Sequence, residues 1–310
     1  MKQTTNKILM IRPVAFNMNK ETAVNNYFQK HLDESPSEIN KKAQKEFDNF
    51  VEVLQNAGIE VFVFEDIEDS KTPDSIFPNN WISFHENGDI ALYPMFAENR
   101  KRERRQDILA DLENKGFTFN QVYDYTEAEK EAVYLEGTGS LILDRQNRKA
   151  YCALSSRANE ELLFEFCEDF EYLPIPFQAF QTVENKRLPI YHTNVMMCVG
   201  TDLAVVCFDS IDDKAEKKLV SKSLKEDGKT IIYITEQQLE AFAGNMLEVH
   251  NKIGDKFLVM SSQAFRSLTQ EQIKTIEKHL KILHSPLNTI ETLGGGSARC
   301  MMAEIFNAKI

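Results

Sequence analysis

Apolar residues along this chain fall in short runs of four to eight, separated by polar turns and by longer stretches with helical spacing. Residues 7–14 read as a strand, and 16–37 as a polar loop. Residues 40–57 carry Phe47, Phe50, Val51 and Leu54 on one helical face, and Gly58 stops that helix. Residues 59–64 alternate as a strand. Strands at 81–84 and 90–94 then flank Asn87-Gly88, a tight hairpin turn. A helix over 100–115 and a strand over 121–125 follow. The same grammar returns as strands 140–143 and 149–154 with helix 159–169. It returns again as strands 194–199 and 203–208, helix 212–225 and strand 230–234. The last full copy has strands 246–250 and 256–260, helix 269–283 and strand 288–291.

This grammar has a register. Asn80, Glu136, His192, Asn245 and Cys300 each open a copy, at intervals of 56, 56, 53 and 55 residues. A fixed period of this kind indicates a repeat or propeller architecture. The fifth copy runs out of chain, and the first strand is left over. Pairing the two ends would close a ring and remove sheet edges. In a ring, equivalent positions converge on the axis, so Glu136, His192 and Cys300 would meet. A carboxylate, an imidazole and a thiol are the parts of nucleophilic catalysis. Length alone suggests about two domains, but a closed repeat fold makes residues 1–310 one domain.

Composition narrows the partners. A formal net charge of −12 disfavours phosphate backbones and anionic lipid, which need clustered Lys and Arg. No nucleic acid or membrane is expected. Five cysteines, an odd number without a C-x-x-C pair, point to a reducing cytoplasm and not to a disulfide framework. No spacing of His, Cys, Asp or Glu resembles a metal site. The polar start and short apolar runs give neither a signal peptide nor a membrane span. The oligomeric state is left open between monomer and homodimer.

Cys300 follows Gly294-Gly295-Gly296, where backbone can approach closely. A strand beginning there would offer backbone N–H groups to a developing charge. Cys152, Cys167, Cys198 and Cys207 lack such a setting and are assigned to the core. His192 can shuttle a proton near neutrality, and Glu136, in Leu-Glu-Gly-Thr-Gly, can orient it. Asp74 and Asn80 bracket Ser75-Ile76-Phe77-Pro78-Asn79 and suit a planar, N–H-rich head group. Arg157, between a strand and a helix, could grip a substrate carboxylate bidentately. The run Arg100 to Arg105, with Glu103 inside it, reads as a solvated helix face. The other five histidines, His85 among them, are placed at the surface.

These segments resemble the guanidino-modifying enzymes, the amidinotransferase or pentein superfamily, over nearly the whole chain. The resemblance runs through Phe77-Pro78-Asn79-Asn80-Trp81, Leu135-Glu136-Gly137-Thr138-Gly139, Tyr191-His192-Thr193-Asn194 and Gly294-Gly295-Gly296-Ser297-Ala298-Arg299-Cys300. It implies a five-bladed α/β propeller of ββαβ repeats with no cofactor. It makes Cys300 the nucleophile, His192 the acid/base and Glu136 its partner, with Asp74 as the second carboxylate at the head group. The branch it is most similar to is the bacterial citrulline-utilisation hydrolases. Where arginine deiminases carry an Arg-Asp pair, this chain has Asn79-Asn80, as succinylarginine dihydrolases have an asparagine. The resemblance and the neutral Asn80 together imply hydrolysis of citrulline to ornithine, ammonia and carbon dioxide. Arginine deimination, dimethylarginine hydrolysis, amidino transfer and noncatalytic binding of arginine or citrulline are the alternatives.

Overall fold

The computed structural model describes residues 1–309. Strand β1 (Lys7–Arg12) is followed by a loop and by the helix Pro36–Asn56. Ser35 starts that helix with a capping box shared with Glu38, and its apolar face is buried through Phe47, Phe50 and Leu54. β2 (Glu60–Glu65) returns parallel to β1.

Three-stranded sheets then succeed one another. β3 (Ile82–Phe84), β4 (Ile90–Leu92) and β5 (Val122–Asp124) form one, and β6 (Leu141–Asp144), β7 (Lys149–Leu154) and β8 (Leu173–Gln178) the next. A separate hairpin, β9 (Phe180–Val183) and β10 (Lys186–Pro189), interrupts the series. β11 (Met197–Val199), β12 (Leu203–Val206) and β13 (Thr230–Tyr233) make the third sheet, and β14 (Leu247–His250), β15 (Lys256–Ser261) and β16 (Lys281–Ser285) the fourth. In each, the first two strands pair antiparallel and the last two parallel. An antiparallel pair needs only a turn, whereas a parallel return needs a crossover, and helices supply it.

The fifth sheet is made by the two chain ends. β17 (Ala303–Glu304) pairs antiparallel with β1, Leu9 facing Ala303 and Ile8 facing Glu304. With β2 it repeats the same antiparallel-then-parallel order, as the unpaired ends implied. Neighbouring sheets touch: β17 lies by β3, β6 by β11, and β11 by β14. Apolar clusters fill the spaces between sheets and helices, one of them joining Leu9, Trp81, Phe84, Ile108 and Ala303.

Four local expectations are revised. The helix expected over 100–115 is broken into Glu98–Lys101 and Gln106–Asn114. The strand expected at 288–291 is the helix Asn288–Gly294, and the closing strand of that unit is β16. Lys281–Ser285 continues the helical spacing of 269–283 and reads in sequence as the tail of that helix. The β9–β10 hairpin had no counterpart in the repeat and was not anticipated. His85 is fully buried: it bonds Ser83 at 2.8 Å and stacks on Phe170.

Candidate active site

Asn80 and Cys300 sit in single turns of helix, Pro78–Asn80 and Ala298–Met301, and Glu136 and His192 immediately precede two more, Gly137–Ser140 and Thr193–Val195, just before the first strand of a sheet. These turns pack on one another, which gathers their side chains. One small cavity is lined by Asp74, Asn80, Arg100, Arg157, His192 and Cys300. Glu136 does not line it but holds His192 from the other side, Oε2 accepting from Nε2 at 2.7 Å. All six residues expected from the sequence are therefore within one buried cluster, together with Arg100, which was not expected.

Glu136 is fully buried. Its Oε1 accepts from the Phe96 N–H at 2.9 Å. Its Oε2 faces Arg157 Nη1 at 3.6 Å and Arg100 Nη1 at 3.7 Å as well as the imidazole. Burial pushes the carboxyl up, but Arg157, His192 and Arg100 together outweigh it and hold Glu136 well below the usual carboxylate range. An ionised carboxylate only accepts, so Nε2 of His192 carries the proton and Nδ1 is left as a base. Burial lowers the His192 pKa to about 4 against the opposing pull of Glu136. The imidazole is thus neutral at physiological pH. Gly139 permits this packing: a Cβ there would lie 2.4 Å from Asn80 Nδ2 and 2.8 Å from His192 Nδ1.

Cys300 is placed by the turn that follows the helix Asn288–Gly294. Glu46, from the first long helix, caps the start of that helix by accepting from the Thr289 N–H at 2.8 Å and the Ile290 N–H at 3.1 Å. Gly295 ends it at φ +62, and Ser297 Oγ donates to Glu291 at 2.6 Å. Burial pushes the Glu291 carboxyl up to about 7. The backbone N–H of Cys300 is spent on Ser297 O at 3.0 Å, and a helical turn, not a strand, begins there. The expected backbone donors are replaced by side-chain amides. Asn245 Nδ2 donates to Sγ at 3.2 Å and Asn194 Nδ2 at 3.3 Å. Asn245 stands at the repeat register, so its arrival was legible. Asn194, two residues after His192, carried no such mark.

Arg100 corrects the reading of a solvated basic face. It is 2% exposed and Glu103 3%. Glu103 takes its Nε and Nη2 bidentately, both at 2.9 Å, and Nη1 donates to Asn80 Oδ1 at 2.9 Å. Burial works against its charge, but Glu103 and Asp74 lift its pKa above the ordinary value. Of the arginines in the run only Arg102 is exposed; Arg104 and Arg105 are half-buried against Glu129 and Asp107. The spacing of Arg100 and Glu103, three apart on a helical turn, was the available signal.

Asp74 is buried, with Oδ2 accepting from Asn19 at 2.7 Å and Thr22 at 3.2 Å. Its Oδ1 has no partner. Burial raises its pKa, and Arg100 and Asn19 pull it back only in part. Arg157 is also buried, stacked on Tyr191 at 4.8 Å. Its Nε donates to Asn25 Oδ1 at 3.0 Å and Nη2 to Thr22 O at 3.0 Å. The bidentate edge expected to grip a substrate carboxylate is therefore satisfied by the protein's own loop. That loop, polar in sequence, also reaches Gly294 O through Asn26 at 3.2 Å.

Among the described residues no group of three His, Cys, Asp or Glu is arranged around a metal site, and no helix is long and apolar enough to cross a membrane. All five cysteines are free.

No curated protein matches this chain. Among solved structures the fold is similar to ArgZ, an arginine dihydrolase from the ornithine–ammonia cycle in cyanobacteria, with a TM-score of 0.75 and 15% identity over 98% of this chain and 41% of that one. The chain thus spans about two fifths of that protein's length. It is similar to the substrate-bound N-terminal domain of ArgZ, with a TM-score of 0.72 and 15% identity over 96% of this chain and 97% of that domain. It is similar also to the DDAH from Pseudomonas aeruginosa complexed with citrulline, with a TM-score of 0.67 and 15% identity over 97% and 100% of the two chains. Residues 12–307 match the family described as N,N dimethylarginine dimethylhydrolase, eukaryotic. With nearly the whole chain inside that match, this protein belongs to the N,N dimethylarginine dimethylhydrolase family.

Proposed function

We propose that the protein hydrolyses the ureido group of citrulline to ornithine, ammonia and carbon dioxide. The observation that carries this reading is the orientation of Asn80. Arg100 has only N–H groups to offer, so the amide oxygen of Asn80 must face it at 2.9 Å. Nδ2 then turns inward, one hydrogen bonding Asn79 Oδ1 at 3.2 Å and the other free for a ligand. Asn80 therefore meets a ligand as a donor. A ureido oxygen can accept from it, whereas a guanidinium has no acceptor. The charges agree. Glu136 is already within reach of two guanidinium groups, and Asp74 alone keeps an unmet carboxylate oxygen for a substrate N–H.

Cys300 attacks the ureido carbon, and its proton passes to Nδ1 of neutral His192. His192 gives that proton to the departing amine as the C–N bond breaks, leaving a thiocarbamate on sulfur. Water then adds, returning a proton to His192, and the C–S bond breaks. The carbamate so formed loses carbon dioxide. Glu136 keeps the tautomer of His192, Asp74 and Asn80 orient the planar head group, and Arg157 holds Glu136 and the polar loop. Five sheets of like order, with strand contacts joining β17 to β3, β6 to β11 and β11 to β14, are read as the blades of one closed five-bladed domain spanning residues 1–310. Free thiols and an acidic surface fit a reducing cytoplasm.

A second reading, release of dimethylamine from dimethylarginine, rests on the family match. The two are separated by incubating the protein with citrulline, arginine and asymmetric dimethylarginine and measuring ornithine, citrulline and ammonia. Ornithine formed fastest from citrulline supports the first. Citrulline formed from dimethylarginine and left unconsumed overturns it. Asn80→Asp should shift preference toward arginine, because one carboxylate oxygen stays on Arg100 and the other replaces the amide donor with an acceptor for the cation, whose charge-assisted bonds are about twice as strong as neutral ones.

A further inference from the structure

Asn194 is fully buried, and among the described residues its side chain makes one hydrogen bond, from Nδ2 to Cys300 Sγ at 3.3 Å. Its Oδ1 has no partner. A buried amide left half-satisfied costs stability, so its presence needs a reason other than the fold. Turning the amide over would only exchange one unmet atom for another. Asn245, also fully buried, is the opposite case. Its Oδ1 accepts from the Arg299 N–H at 3.0 Å, and its Nδ2 donates to Asn194 O at 2.9 Å. Those two partners fix which way the amide points, and the second hydrogen of Nδ2 is left for Sγ, at 3.2 Å. Asn245 thus serves the backbone and the sulfur, whereas the side chain of Asn194 serves the sulfur alone.

A neutral thiol is a weak acceptor, and hydrogen bonds to an ionised group are stronger than neutral ones. Two buried amide donors therefore favour the charged sulfur over the neutral one. We infer that Asn194 and Asn245 are catalytic residues that hold the sulfur of Cys300 whenever it carries negative charge. That happens twice in a turnover. The S–H proton passes to Nδ1 of His192, and the electron pair left on sulfur forms the S–C bond. When that bond breaks, the pair returns to sulfur, and the imidazole, protonated by the attacking water, gives the proton back. The inference rests on Cys300 as nucleophile, and not on whether citrulline or dimethylarginine is cut. The other titratable or charged groups around the cavity are His192, Asp74, Arg100, Arg157 and Tyr191. None of them is altered by a change at Asn194 or Asn245.

The test is Asn194→Leu, which keeps the shape of the side chain and removes only the donor and the unmet oxygen. For whichever substrate the natural protein turns over, kcat should fall about tenfold or more, equivalent to about 1.4 kcal/mol or more, with KM unchanged. The urea midpoint should be no lower than that of the natural protein. Without substrate, the ultraviolet absorbance of the thiolate, taken as the difference from Cys300→Ser, should appear about one pH unit higher, the same tenfold. Asn245→Leu should show the same displacement together with a lower urea midpoint, because it also strips Arg299 and Asn194 of their partners. Undiminished kcat in Asn194→Leu, a fall in kcat matched by a fall in stability, a rise in KM alone, or a thiolate transition that does not move would each overturn the inference. Full activity of Cys300→Ser would overturn the nucleophile itself, so the two failures are told apart.

Discussion

Cys207 Sγ accepts from the Ser210 hydroxyl at 3.4 Å, but Cys300 Sγ accepts from two side-chain amides. Asn194 and Asn245 donate to it, whereas burial pushes the Cys167 and Cys198 thiols up to about 12 and Cys152 further still. Of the five cysteines Cys300 alone lines the cavity with His192, where a nucleophilic thiolate would be needed. Cys300→Ser should abolish turnover without unfolding the chain. Intact-protein mass spectrometry of a quenched reaction should find an adduct on the peptide holding Cys300; an adduct on Cys152 or Cys198 contradicts the assignment. His192 makes a second, independent statement. With its pKa lowered to about 4 by burial, its neutral form persists far below the ordinary value near 6.5. The acid limb of kcat/KM for the free enzyme should therefore fall below about pH 5. A limb centred near 6.5 would mean that the imidazole is solvated in the working enzyme.

The helix Asn288–Gly294 and the turn after it are the element on which the thiol depends. Gly295 stands at φ +62, where a side chain is strained, and a Cβ there would lie 2.5 Å from Asn26 Nδ2. Asn26 is tied to Gly294 O, and Tyr191 donates to Gly295 O at 2.5 Å. Gly295→Ala should cost about 1–2 kcal/mol from the left-handed backbone alone, with a further loss as Asn26 is displaced. Urea unfolding measures the first part, and kcat the second, because the same shift moves Ser297 and Cys300. A variant with wild-type stability and activity would show that the turn is not held as tightly as its contacts imply.

Across the whole molecule, stability rests on joining the ends. Leu9 is fully buried between β17 and β2, in the cluster that includes Trp81, Phe84 and Ala303. Leu9→Ala should lower stability by about 2–5 kcal/mol. Activity should fall with it in step along a urea titration, since β17 follows Cys300 by only a few residues. Loss of activity well before loss of secondary structure would indicate that the terminal sheet opens separately.

The repeat interval was readable because a sheet of fixed strand order needs a fixed length of chain, and side chains at its entrance recur at that length. Glu136, His192, Asn245 and Cys300 were legible for that reason, as were the hairpins with their Gly turns and the strand left unpaired at the start. Other features have no local signature. Whether Arg100 faced solvent or the cavity depended on a break in its helix and on Glu103, Asn80 and Glu136 converging around it. The donor-only face of Asn80 is a consequence of that arginine. The bidentate edge of Arg157 was claimed by Thr22 and Asn25, some 130 residues away in sequence. A pattern along the chain records which side chains can share an axis. Only packing decides which hydrogen-bonding edges remain free once the buried charges have satisfied one another, and that decision sets what the cavity can hold.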